Sequence, residues 1–179
     1  MISIKVDNSQ IQTFFKRAPK KADWAMKEAL SMAGGHFGTK VGGEDSLREF
    51  ICRGVPGIAP LHPLSEKMRD GKNKGRPPLW YLGNIVSFRY GKTGGRQRVF
   101  IGWLGKGQPK FARRMLYGKR VRVTEAKRQY LHKKGLHLKK GTKFLQIPAR
   151  PVLDIFWSKK SKQIPGYVET KFFEKFFSK

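Results

Sequence analysis

Hydrophobic and polar positions alternate at the start of the chain and then change period. Ile2, Ile4 and Val6 interleave with Ser3 and Lys5, which predicts a short strand. Asp7 or Asn8 is placed to cap a helix after it. Ile11, Phe14, Phe15, Ala18, Ala22, Ala25, Met26, Ala29 and Ala33 then fall on one helical stripe, the mark of a helix that faces a core. Pro19 lies within this run and predicts a kink or a split, because proline lacks the N–H of a helical hydrogen bond. Gly34-Gly35 predicts its end.

Residues 38 to 78 lose all periodicity. Gly54-Val55-Pro56-Gly57 and Lys72-Asn73-Lys74-Gly75-Arg76-Pro77-Pro78 read as one long irregular connection, of the kind that is often functional or mobile. Residues 79 to 104 return to a period of two. Val86, Phe88 and Tyr90 share one face, and Val99, Ile101 and Trp103 share a face of the next run. Gly91-Lys92-Thr93-Gly94-Gly95 between them predicts a hairpin loop. Further on, Arg120-Val121-Arg122-Val123 reads as a possible strand, and Glu125 to Lys140 as a polar loop or extended hairpin. In Ile147-Pro148-Ala149-Arg150-Pro151-Val152-Leu153, Pro148 should end a strand and Pro151 suits the first turn of a helix. Residues 158 to 179 hold an amphipathic terminal helix over Tyr167 to Phe177, with Phe172, Phe173, Phe176 and Phe177 at helical spacing.

These elements predict a single α+β domain over residues 1 to 179. An antiparallel β-sheet packs against a long N-terminal helix, with an extended basic loop or hairpin arm over 106 to 143 and a C-terminal helix. Neither side of the irregular connection has apolar residues enough for a core of its own.

Charge changes the picture most. The chain has 179 residues and carries 39 Lys or Arg against 12 acids, a formal net charge of +27. Residues 106 to 143 hold 14 Lys or Arg against the single acid Glu125, a net charge of +13 in 38 residues. Like charges at this density repel one another and draw polyanions. The expected contacts to DNA or an acidic partner are Arg113, Arg114, Lys119, Arg120, Arg122, Lys127, Arg128, Lys133, Lys134, Lys139 and Lys140. No run of about 18 apolar residues is present, so no membrane span and no membrane partner is expected. The N-terminus lacks the pattern of a signal peptide, and the single Cys52 allows no intramolecular disulfide, which suits a reducing compartment.

Catalytic chemistry finds little footing. Gly91-Lys92-Thr93 resembles the end of a phosphate-binding loop, but Val86 stands where that motif needs its first glycine. His132 and His137 lie five apart and His36 and His62 are isolated, too few for a zinc site beside one cysteine. The acids show no paired catalytic spacing. The expectation is a non-enzyme with no metal and no cofactor.

Several segments carry a family resemblance. Ile147 to Leu153 resembles the C-terminal signature of phage virion-morphogenesis proteins, the tail-completion or neck proteins of Mu-like phages and their tailed-phage relatives. Leu79-Trp80-Tyr81-Leu82-Gly83-Asn84-Ile85-Val86-Ser87-Phe88 is similar to the family's Thr-Gly-x-Leu element and its strand, with Leu82 where threonine is usual. Phe111-Ala112-Arg113-Arg114-Met115-Leu116-Tyr117-Gly118 keeps the spacing of the family's aromatic-Ala-x-x-His-Gln-aromatic-Gly turn, with Met115 and Leu116 replacing the polar pair. Gly54 to Ser65 resembles its proline-rich lead-in.

The resemblance implies a structural virion protein, assembled in the host cytoplasm. It implies a ring, often of six subunits, at the head–tail junction, through which the double-stranded genome passes. Tail-tube or tail-terminator and head–tail connector proteins would be its neighbours. Pro148, Arg150, Pro151, Phe172, Phe173, Phe176 and Phe177 are the expected subunit interface. DNA would be met through phosphates, without base reading. The alternative is a free, non-sequence-specific nucleic-acid-binding protein, which the charge supports equally. A nuclease is a third reading, for which the acids are too sparse.

Overall fold

A computed structural model describes residues 2–5, 19–60, 66, 69, 71 and 74–178. Its class is α+β, with two small antiparallel sheets among seven α-helices in the described residues. Strand β1 (Ile2–Lys5) pairs with β3 (Arg96–Gly102), which pairs in turn with β2 (Ser87–Thr93), giving the order β1-β3-β2. Helix α1 (Pro19–Gly34) packs on this sheet. Val6 and the stripe positions Ile11, Phe14, Phe15 and Ala18 lie outside the described residues. Pro19 is the first residue of the described helix, and the stretch before it, where the kink or split was expected to show, lies outside the described residues.

The expected stop at Gly34-Gly35 is corrected. The helical path runs on as a π-helical turn over Gly35–Thr39. Gly34 keeps right-handed helical angles. A Cβ on it would meet the Phe88 ring at 2.5 Å and Val99 Cγ2 at 2.8 Å, and one on Gly38 would meet Ile101 Cγ2 at 3.0 Å. These glycines let the helix approach the sheet; they do not end it.

The irregular connection also contains order. Helix α2 (Leu47–Cys52) starts at Ser46, whose Oγ accepts a hydrogen bond from the Glu49 amide at 3.1 Å. Ser46-Leu47-Arg48-Glu49 spells a capping box, a legible signal that the surrounding Gly and Pro obscure. Helix α3 (Trp80–Asn84) crosses α2 where Gly83 sits. A Cβ there would lie 2.5 Å from Cys52 Sγ. The family-like segment before β2 is thus helical, and only its end is strand.

The hairpin is as expected in place but tighter. The register runs to Thr93↔Arg96, so Gly91 to Thr93 belong to β2 and the loop is Gly94-Gly95 alone. Both glycines have positive φ, +57° and +75°, as a two-residue turn between twisted strands requires.

After β3, residues expected as a turn form helix α4 (Gln108–Leu116). Strands β4 (Lys119–Arg122) and β5 (Phe144–Ile147) pair antiparallel as a second sheet, and helix α5 (Glu125–Lys133) lies in the connection between them. The arm is therefore a hairpin, but its connection is partly helical where a polar loop was expected. β5 stops before Pro148 as predicted, while Pro151 is the cap residue just outside α6 (Val152–Lys160) rather than within its first turn. The terminal helix α7 (Gln163–Phe177) starts earlier than the phenylalanine spacing shows and packs along α1.

One main core joins these layers. Met26, Leu30 and Phe37 from the first helical run, Leu47, Ile51 and Leu82 from the short helices, Val99 and Ile101 from the sheet, and Phe156, Ile164 and Phe172 from the last two helices are all buried in it. Each side chain of this size stabilises the fold by roughly 1.5–3 kcal/mol relative to exposure.

Candidate nucleic-acid interface

The arm begins and ends at one tight crossing. The Arg150 amide donates to Leu116 O at 2.6 Å. Gly118, at φ +73°, lies so close to the returning chain that a Cβ would meet Ile147 O at 2.6 Å and Ala149 N at 2.9 Å. The glycine ending the family-like segment Phe111 to Gly118 thus has a physical reason.

Arg150 locks this crossing to the body. It is 2% exposed. Its Nε donates to Ala59 O at 3.1 Å, one Nη to Pro60 O at 3.1 Å, and the other to Pro148 O at 3.4 Å. Burial lowers its pKa from the ordinary guanidinium value. Carbonyls thus replace the water that a buried cation loses.

Beyond the crossing, the two-residue period sorts the ribbon into faces. The register pairs Arg122 with Phe144 and Arg120 with Gln146, and all four are exposed on one side. Val121, Leu145 and Ile147 turn to the other side and are partly buried, while Lys119 on that side stays exposed. The Arg120 guanidinium lies 3.9 Å from the Phe144 ring centroid, a cation–π contact that holds the arginine up on the ribbon.

The helix of the arm has its own logic. Thr124 Oγ1 accepts from the Lys127 amide at 3.3 Å, Glu125 occupies the first turn, and His132 and Lys133 the last, so charge complements the helix dipole at both ends. Leu131 and Leu136 are buried outside the main core cluster. His132 and His137 meet edge to face with centroids 4.6 Å apart.

Arg128 is a different kind of residue from its neighbours. Its guanidinium donates to Leu138 O, Lys139 O, Lys140 O and Thr142 O at 3.0–3.4 Å. It holds the return loop in place, so its N–H groups are largely committed within the chain. Lys127 is half-buried. Arg113, Arg114, Lys119, Arg120, Arg122, Lys133, Lys134, Lys139 and Lys140 are exposed. Seven of these lie on the ribbon, the helix end or the return loop; Arg113 and Arg114 sit apart, on α4.

Described acids do not neutralise this surface. Among the described residues, ion pairs involve Asp23, Glu44, Asp45, Glu49, Glu66 and Glu174, and none includes a cation from residues 106 to 143. Phe144 and Gln146 were not among the expected contacts. Their signal is the alternation across 144 to 147, legible only once β4 is recognised as its partner.

The expected interface residues divide by burial. Phe172 is 0% exposed and, like Arg150, is an interior residue of this fold. Pro148 and Phe176 are half-buried, and Pro151 is exposed. Phe173 and Phe177 are exposed on α7, their rings stacked with centroids 6.1 Å apart.

No helix among the described residues is long and apolar enough to cross a membrane. No family model, curated protein or solved structure matches the chain.

Proposed function

We propose that this chain is a non-enzymatic structural protein of a tailed-phage virion, a tail-completion adaptor that closes into a ring at the head–tail junction. Its basic arm meets the phosphates of double-stranded DNA without reading bases. The ordered motifs from Gly54 to Leu153 support the setting. The observation that carries the contact is the basic stretch 106 to 143 that contains the arm, with +13 of charge and, among the described residues, no ion pair to any of its cations. Such a surface releases counterions when a polyanion binds.

The arm's geometry makes the test clean. The Val123 amide donates to Lys143 O at 2.9 Å, so the two ends of the connection already meet. Replacing residues 124 to 141 with a short Asn-Gly turn removes α5 and the return loop and leaves the ribbon closed. The variant is expected to be soluble and folded but unable to complement a phage that lacks this protein. Infectious particles formed at the normal titre with the shortened arm would overturn the reading.

A further inference from the structure

We infer that a cleft between α4 and α6 is a docking site for an acidic segment of another protein that inserts a bulky apolar side chain. The cleft measures about 580 Å³, within the range of small-ligand and side-chain pockets. Trp103 forms part of its lining. The residue is 4% exposed, and its indole N–H donates to Leu82 O at 2.9 Å, so the ring is held in place. Ala112 and Leu116 line it from α4, and Leu153 lines it from α6. Tyr117, 65% exposed, and Arg113 complete the opening.

The charge around the cleft selects the partner. Lys106, Lys110, Arg113 and Arg114 lie on or just before α4, with no acid among residues 104 to 118. None of these cations has an ion pair among the described residues. The one acid adjoining a lining residue in sequence is Asp154, next to Leu153. Aromatic surface extends beyond the cleft, where exposed Tyr81 and Phe111 meet edge to face at 6.0 Å. Tyrosine and arginine at the rim of a partly apolar cleft are residue types enriched in protein-binding hot spots. Phosphate has no use for walls of alanine and leucine, whereas an apolar side chain flanked by carboxylates satisfies both the walls and the rim.

The test uses the full chain and a short fluorescein-labelled peptide with glutamates flanking a Leu-Trp pair. Anisotropy at physiological salt is expected to show binding about tenfold or more tighter than that of an equally charged peptide carrying Gly-Ser in place of Leu-Trp. Arg113→Glu should weaken the first peptide by about tenfold and Tyr117→Ala by several-fold, both at exposed positions that leave the melting curve unchanged. Lys133→Glu/Lys134→Glu on the arm should change it less than about twofold. The Trp103 indole resonance should shift with the Leu-Trp peptide alone. Equal binding of the two peptides would overturn the assignment, as would greater loss with the arm variant than with Arg113→Glu. A thymidine oligonucleotide that displaces the peptide and shifts the Trp103 indole would give the cleft to nucleic acid and also overturn it.

Discussion

Arg150 shows how one side chain can decide a junction. Three carbonyls from two segments converge on a guanidinium that is almost fully buried. Arg150→Ala leaves those acceptors unpaired and a cavity behind, and should cost about 3 kcal/mol, read as a lower urea midpoint with an unchanged slope. Arg150→Lys keeps the charge but loses the planar fork, so it should recover only part of that loss. Gly83 makes a second residue-scale case. Gly83→Ala sets a methyl against Cys52 Sγ at 2.5 Å and Arg48 O at 3.0 Å, and should destabilise by about 2 kcal/mol. Adding Cys52→Ala removes the first clash but not the second, so the double variant should recover part of the stability. Asp45 supplies a pH dependence. Its hydrogen bond with Lys160 holds its carboxyl below the ordinary value of 3.8, against the opposing effect of burial, and His36 at 3.4 Å adds to the lowering. A lowered folded-state pKa means that this stability is present above 3.8 and is lost as pH falls through the folded value. Lys160→Met should therefore make acid unfolding begin at higher pH, and an unchanged acid limb would contradict the pairing.

At the scale of elements, α7 carries two unlike faces. Phe172 is wholly buried in the core that α7 shares with α1, whereas Phe177 is 66% exposed. Phe172→Ala should cost about 3–5 kcal/mol, and Phe177→Ala less than about 0.5 kcal/mol, measured by chemical denaturation of the isolated chain. The sequence shows four phenylalanines at helical spacing but not which pair faces inward, because the partner stripe on α1 has to be placed first. Legibility follows the same rule elsewhere. The β2–β3 hairpin was readable because its alternation and its Gly94-Gly95 turn are local. Gly34-Gly35 was misread as a stop because glycine ends a helix in isolation, and only the nearness of Phe88 and Val99 shows its other use. Ser46 to Glu49 was readable in principle and was hidden by its neighbours. Within the candidate interface, charge density located the arm. It could not separate Arg128 from the exposed cations, since that role depends on carbonyls ten to fourteen residues later folding back onto it.

At the scale of the molecule, charge is unevenly spent. Body cations such as Lys92, Lys160 and Lys171 lie against carboxylates, while among the described residues those of 106 to 143 do not. In the proposed reading the arm meets the polyanion and the body serves as its frame. Binding to duplex DNA should weaken steeply with salt and be indifferent to sequence. Each phosphate contact removed by alanine at Arg120, Arg122, Lys133 or Lys134 should flatten the slope of log K against log salt by about 0.9. Alanine at Arg128 should instead loosen the return loop, seen as faster amide exchange at residues 138 to 142. The central claim, that this is a structural adaptor of a virion, is tested most directly by quantitative mass spectrometry of purified phage particles from the source strain. The account predicts a small, fixed number of copies per particle, in constant ratio to the other tail and neck proteins. Abundance in the lysate with absence from particles would contradict it and favour a free nucleic-acid-binding protein.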